Sequence, residues 1–207
     1  LYVSDFFTHR VQRFDPSGNA QAAFGAYGGR PGYLMFPRSI EVLNDRTFAI
    51  TDDNYVSVMT PTGEPVEPHP IVEVSTGPDL QRPKQAALAI DGDTLWVADT
   101  LSDRLVHLRR DGTVLHQVAV DTPAGVAVGP DGRVYVALAR ARQVLVFAPD
   151  GTPVGEVLGP DWLDRPQGLS LGEVAGRTRL RVADNQGDRV VVVALDGSDP
   201  ATFGAGV

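Results

Sequence analysis

Four aspartates recur at the same place in a repeated sequence pattern, and recurring carboxylates can do chemistry when a fold brings them together. They are Asp5, Asp52, Asp99 and Asp184. Converging carboxylate oxygens suit a hard cation such as Ca²⁺, or a basic ligand. The structural alternative, which we favour, is that each aspartate caps a turn or pairs with an arginine five positions on. Three repeats retain both partners: Asp5 and Arg10, Asp99 and Arg104, Asp184 and Arg189.

A second set of candidate residues is basic. It comprises Arg38, Arg82, Lys84 and Arg165, all next to the prolines that open one strand of each repeat. If those strands surround a channel, these side chains lie at one of its mouths and could bind an anionic ligand or an acidic protein segment. The alternative that we favour is that they neutralise the neighbouring aspartates.

The positions of these residues follow from an internal repeat. Its best-marked segment is an apolar strand that ends at the aspartate position, and it occurs at residues 1–5, 48–52, 95–99, 134–138 and 180–184. The intervals between successive copies are 47, 47, 39 and 46 residues. A second apolar run and a glycine turn follow each copy; the glycines are Gly18, Gly63, Gly112, Gly151 and Gly197.

Each repeat is long enough for four short strands. Proline-led segments precede four of the copies, and a small-residue strand such as 125–128 suits a crowded position near a central axis. No stretch carries a sustained apolar period of a helix. Four strands in a unit of this length are typical of a β-propeller blade, so we predict an all-β propeller. In the third blade we expect antiparallel strands over 95–98, 104–108 and 114–118, with 86–90 innermost.

The chain is expected to be a single domain, residues 1–207, with four complete blades and one that lacks its inner strand. The partial blade covers residues 1–31, and the others cover about 32–78, 79–120, 121–162 and 163–207. An open ring leaves apolar faces uncovered. We expect these faces to be covered by further sequence or another subunit. The residues expected to be exposed are Val3, Val11 and Phe14 at one end and Val191, Val193 and Phe203 at the other.

The repeat resembles that of the NHL-repeat family. Its closest copy is Leu1-Tyr2-Val3-Ser4-Asp5, followed by His9-Arg10-Val11-Gln12-Arg13-Phe14. The third and fifth repeats have Asp103-Arg104 and Asp188-Arg189 at the corresponding place, whereas Tyr55 and Leu138 depart from the pattern in the second and fourth. The resemblance implies a propeller, commonly of six blades. It leaves function open, because propellers include scaffolds, peptide binders and enzymes.

Composition excludes several functional classes. The net charge of −8 argues against nucleic acid as a partner, and the absence of cysteine excludes disulfide and thiol chemistry. No apolar run approaches the length of a membrane span. The four histidines, His9, His69, His107 and His116, do not recur at one blade position, which argues against a three-histidine metal centre. No Gly-x-Ser-x-Gly motif or phosphate-binding loop is present.

These observations favour a non-catalytic binding or scaffolding propeller that recognises a protein, peptide or ligand on its channel face. The alternative is a metal-dependent hydrolase or lactonase that resembles the gluconolactonase-type propellers and holds Ca²⁺ with channel carboxylates. A secreted, periplasmic or cell-surface location is favoured. The chain opens inside a strand pattern at Leu1, so the start of the gene product is expected upstream, and the near absence of lysine suggests a bacterial source.

Overall fold

The computed structural model describes residues 1–43, 45–53, 55–66, 72–73, 86–91 and 93–204 of the 207-residue chain. Its strands form one sheet of three and four sheets of four, which we call blades I to V in chain order. Every sheet is antiparallel, with the strands in sequence order. The chain is therefore a β-propeller, as the repeat predicted.

The strands are short and of even spacing. Blade I contains β1 (Tyr2–Asp5), β2 (Arg10–Phe14) and β3 (Ala20–Phe24). Blade II contains β4 (Ser39–Val42), β5 (Phe48–Thr51), β6 (Tyr55–Met59) and β7 (Val72–Glu73). Blade III contains β8 (Ala86–Asp91), β9 (Thr94–Asp99), β10 (Arg104–Arg109) and β11 (Val114–Ala119), with a 3₁₀ turn at Thr100–Ser102. The arrangement expected for this blade is confirmed.

The last two blades are also four-stranded. Blade IV contains β12 (Pro123–Val128), β13 (Val134–Leu138), β14 (Gln143–Phe147) and β15 (Pro153–Leu158). Blade V contains β16 (Pro166–Val174), β17 (Arg177–Asp184), β18 (Arg189–Ala194) and β19 (Ala201–Phe203). No helix in the described part of the chain is long and apolar enough to cross a membrane.

The repeat positions correspond to particular backbone conformations. All five repeated glycines have φ between +83° and +88°, a region that L side chains disfavour, and each lies between the third and fourth strands or in the equivalent turn of blade I. The residue before the third strand, or before the equivalent strand β2 of blade I, is also left-handed in four blades: His9, Asp103, Arg142 and Asp188 have φ between 47° and 62°. Polar side chains tolerate this conformation better than β-branched ones, which explains their presence there.

The core consists of apolar layers between successive blades. Alternate residues of one strand serve two layers, because successive side chains point to opposite faces. Leu95 and Val97 of β9 pack toward blade II, whereas Trp96 and Ala98 pack toward blade IV. The inner strands β4, β8, β12 and β16 contact one another in that order and surround the propeller axis.

The residues exposed at the two end faces of the propeller differ in part from those expected from the sequence. Val3 and Phe203 are exposed as expected, but Val11, Val191 and Val193 are wholly buried. The expectation for these three valines was wrong because they point toward blade II or blade IV. Val190, one position along β18, is exposed instead.

Candidate functional site

A cavity of about 400 Å³ lies between the inner strands of the propeller, at the face where those strands begin. We call it the axial cavity. Blade II contributes Arg38, Ser39 and Glu41, blade III contributes Thr100, and the rest of the lining is Thr122, Ala124, Gly125, Val126, Ala139, Arg165, Gln167, Gly168 and Leu169. Its size lies within the range typical of small-molecule sites.

The inner strands approach closely at this cavity. A Cβ atom on Gly125 of β12 would overlap the carbonyl oxygen of Gln167 in β16, so the backbone of one strand occupies the space that a side chain would need. Thr100 adds a link between blades, because its hydroxyl donates a 2.6 Å hydrogen bond to the carbonyl of Pro123. The close approach at Gly125 agrees with the small-residue inner strand expected near the axis.

Two of the repeated aspartates, Asp52 and Asp184, hold the loops that lead into inner strands at the cavity. The buried Asp184 carboxylate accepts hydrogen bonds from the amides of Asp164 at 3.0 Å and Arg165 at 2.7 Å. Asp52 acts similarly in blade II, where it accepts from the amide of Met35 at 2.9 Å. Each aspartate fixes the loop that leads into the inner strand of its own blade.

The expected pairing of aspartate and arginine is confirmed in three blades. The shortest N–O distance is 2.9 Å for Arg104 and Asp99 and 3.0 Å for Arg189 and Asp184. In blade I the distance from Arg10 to Asp5 is 3.5 Å, and both side chains are a third or more exposed. The Thr8 hydrogen bonds and the nearby Arg10 hold the pKa of Asp5 below its usual value.

The same contacts bear on the suggested calcium site. Asp5, Asp52, Asp99 and Asp184 each accept hydrogen bonds within their own blade or its rim loop. The described residues contain no group of three histidine, aspartate or glutamate side chains that could hold a metal ion. Their arrangement therefore does not fit a Ca²⁺ centre, and no chemical step is derived through one.

Two of the four basic residues predicted to cluster do line the axial cavity, Arg38 and Arg165. Arg82 and Lys84 lie outside the described residues. The Arg38 guanidinium is held by Asp53 through two 3.2 Å hydrogen bonds, and its central carbon lies 4.7 Å from the centroid of the Phe6 ring. Arg165 is exposed, and its side chain has no hydrogen bond or ion pair with another described residue.

Glu41 is the residue of this cavity that sequence reasoning missed. It lies in the inner strand β4 and is partly buried, and no other described residue donates a hydrogen bond to its carboxylate. Burial alone raises the pKa of the Glu41 carboxyl from 4.5 to about 7. A carboxyl with a pKa near neutrality can accept and release protons under ordinary conditions.

A signal for Glu41 was available in the repeat. Glu41 pairs with Ala49 across β4 and β5. The register of the other blades places small residues at the equivalent position, Ala89, Ala127 and Ser170. Glu41 is thus a charged exception at an axial position that is otherwise small.

Gln167 of blade V also lines the axial cavity. Its side-chain oxygen accepts a 3.0 Å hydrogen bond from the side-chain NH₂ group of Asn185. The NH₂ group of Gln167 itself has no partner among the described residues and is free to donate. Glu41 and Gln167 belong to blades II and V, so polar residues of two different blades line the cavity.

The described histidines lie outside the axial cavity. The Nδ1 atom of His9 accepts a 3.1 Å hydrogen bond from the Phe36 amide, which fixes the loop before β4. The His107 ring stacks on Trp96 with a centroid distance of 4.2 Å and an interplanar angle of 3°. His116 packs edge-on against both rings. His69 lies outside the described residues.

Comparisons with known proteins agree with the fold. No family model matches the chain, so the NHL assignment remains a resemblance of the repeat. Virginiamycin B lyase from Staphylococcus aureus, solved as a catalytically inactive His→Ala variant with quinupristin, superposes with a TM-score of 0.72 at 11% identity. The match covers all of this chain and 66% of the lyase. A gluconolactonase from Xanthomonas campestris gives 0.63 at 22% identity, over 86% of this chain and 63% of the enzyme.

A relative found by sequence is also an enzyme. Lactonase drp35 of Staphylococcus saprophyticus is 32% identical over 96 residues, which are 41% of this chain and 29% of the lactonase. The chain thus matches less than a third of that relative and less than two thirds of the two enzymes of known structure. At this level of identity the structural matches establish the fold alone. The chain is a β-propeller whose relatives and structural neighbours include bacterial lactonases and lyases.

Proposed function

We propose that this protein is a hydrolase of the lactonase class and that its active site is the axial cavity. The observation that carries the proposal is the unpaired Glu41 carboxyl, which has a pKa of about 7 and lines a cavity large enough for a small ring. The names of the relatives support an enzyme more than the scaffold favoured by the sequence. Those names describe other proteins, and the activity assigned here is a proposal.

In the proposed reaction Glu41 is the general base. Its ionised carboxylate takes a proton from water while the water oxygen attacks the carbonyl carbon of the lactone. The carbonyl oxygen becomes an oxyanion, which the free NH₂ group of Gln167 stabilises by hydrogen bonding. The C–O bond of the ring then breaks, and the leaving oxygen takes the proton back from Glu41. The product is a hydroxy acid, and the carboxylate is regenerated.

Fixed backbone supports this geometry. Glu41 lies within a paired strand, and Gln167 lies in β16 beside Gly168, whose partner in β17 is Ala183. The two catalytic groups are therefore attached to the sheets of separate blades, which limits their motion relative to each other.

Proton release from γ- and δ-lactones tests the proposal. We expect the Glu41→Gln variant to lose activity by about a hundredfold or more, as removal of a general base does. Glu156→Gln, the same change at an exposed position in the outer strand β15, is the matched control and should retain activity. Equal turnover by the Glu41→Gln and native proteins would rule out Glu41 as the base. No turnover of any lactone would instead favour the non-catalytic binding propeller.

A further inference from the structure

The two arginines of the axial cavity are held differently. Asp53 and the Phe6 ring already engage the Arg38 guanidinium. Arg165 has no such partner among the described residues, although it lines the same cavity. One cation is therefore part of the fold, and the other is available to a ligand.

The main chain at Arg165 is fixed, although its side chain is free. The backbone N–H of Arg165 donates to the buried Asp184 carboxylate at 2.7 Å, and its backbone carbonyl accepts from the backbone N–H of Asn185 at 3.0 Å. The Asp184 carboxylate is itself held by Arg189 at 3.0 Å. A guanidinium on a fixed backbone needs to order only its own side chain when it binds, which lowers the entropic cost of recognition.

The chemistry of the guanidinium selects the ligand. It is always charged and presents paired N–H donors that match the two oxygens of a carboxylate. Gln167, two residues along the chain, lines the same cavity, and its NH₂ group has no hydrogen-bond partner among the described residues. The carboxylate across the cavity, Glu41, has a pKa of about 7 and is therefore partly neutral near pH 7, which reduces repulsion of an incoming anion.

We propose that Arg165 binds a carboxylate substituent of the substrate, so that the site prefers lactones that carry a negative charge over neutral ones. This inference rests on the proposed function. Glu41 lies in blade II, and Arg165 lies immediately before β16 of blade V. A substrate ring between them would place its ester near Glu41 and its carboxylate near Arg165.

The test compares two lactones of one ring size, γ-glucarolactone and γ-gluconolactone. They differ at the terminal carbon, which is a carboxylate in the first and a hydroxymethyl group in the second. We expect kcat/KM to be higher for glucarolactone, and the ratio of the two values to fall about tenfold or more in Arg165→Gln, because one charged hydrogen-bonded contact is lost. Arg165→Lys should retain part of the preference, since it keeps the charge without the paired donors.

The matched control is Arg177→Gln, at an exposed arginine that is the first residue of β17, at the far end of the same strand pair. The ratio of kcat/KM for glucarolactone to kcat/KM for gluconolactone in this variant should equal that of the native protein. A native enzyme without preference for glucarolactone, or an Arg165→Gln variant with an unchanged ratio, would overturn the inference while leaving the lactonase proposal intact.

A binding measurement separates failure of the inference from failure of the proposed function. If neither these two compounds nor any other lactone is hydrolysed, the proposed function fails, and calorimetric titration with the same two compounds decides the inference. Tighter binding of glucarolactone that is lost in Arg165→Gln and kept in Arg177→Gln supports it. Equal binding of the two compounds overturns it.

Discussion

Two sets of carboxylates in this molecule face different surroundings. Asp99 and Asp184, at the ends of the second strands, are almost completely buried, and each is bonded to an arginine. Glu41, on an inner strand, is partly buried and has no such partner among the described residues. The aspartates recur through the repeat, whereas the equivalents of Glu41 are small residues.

The difference indicates how function can be separated from folding in a repeat protein. The aspartate recurs in four of the five blades and meets a structural need: in blades II and V it fixes the loop before the inner strand. A residue that breaks the repeat at the axis meets no such need. Burial of an unpaired carboxyl opposes folding, so its presence at a cavity calls for a functional explanation.

The largest effect is expected at Asp184. Asp184→Ala leaves Arg189 without its carboxylate and two rim amides without their acceptor, so the free energy of unfolding should fall by about 3–5 kcal/mol. Asp5→Ala, at the exposed equivalent in blade I, is the control and should change it little. Urea denaturation of both variants measures the difference, and equal losses would show that burial does not distinguish the two turns.

A smaller effect is expected for the paired arginines. Arg104→Ala removes the partner of the buried Asp99 and should destabilise the fold by about 1–3 kcal/mol. Arg10→Ala removes a half-exposed partner 3.5 Å from Asp5 and should have a smaller effect. Thermal melting of the two variants tests this, and an unchanged melting temperature for Arg104→Ala would contradict a structural role for the repeated pair.

The smallest expected effect concerns the pH dependence of stability at Glu41. Because its folded pKa of about 7 exceeds the ordinary 4.5, the native state holds the proton more tightly than the unfolded chain. That contribution is complete below pH 4.5 and is lost as the pH rises through 7, by an amount on the order of 1–2 kcal/mol for a partly exposed group. Urea denaturation at several pH values across this range should show that the free energy of unfolding declines with pH in the native protein. The Glu41→Gln variant should lack this decline. Parallel curves would place the pKa of Glu41 at its ordinary value.

The blades were predictable from the sequence because a repeat reports each structural need several times. The five glycines and the Asp–Arg pairs each occupy the predicted place. The burial of Val191 and Val193 was not predictable, since β18 is apolar on both faces and alternation alone cannot say which face meets blade IV. Glu41 does not recur, and a charge inside a short apolar strand carries no motif; only the small residues at the equivalent positions of other blades distinguish it.

The pH dependence of lactone hydrolysis tests the central claim most directly. If Glu41 is the general base, kcat/KM of the native protein should rise with pH and level off above an apparent pKa of about 7, because only the ionised carboxylate accepts the proton from water. In Glu41→Gln the residual kcat/KM should not show this rise with pH, which is the acid limb of the profile. An acid limb at the same pKa in Glu41→Gln, or a native profile governed by a group near 4.5, would contradict the assignment of the axial carboxylate as the catalytic base.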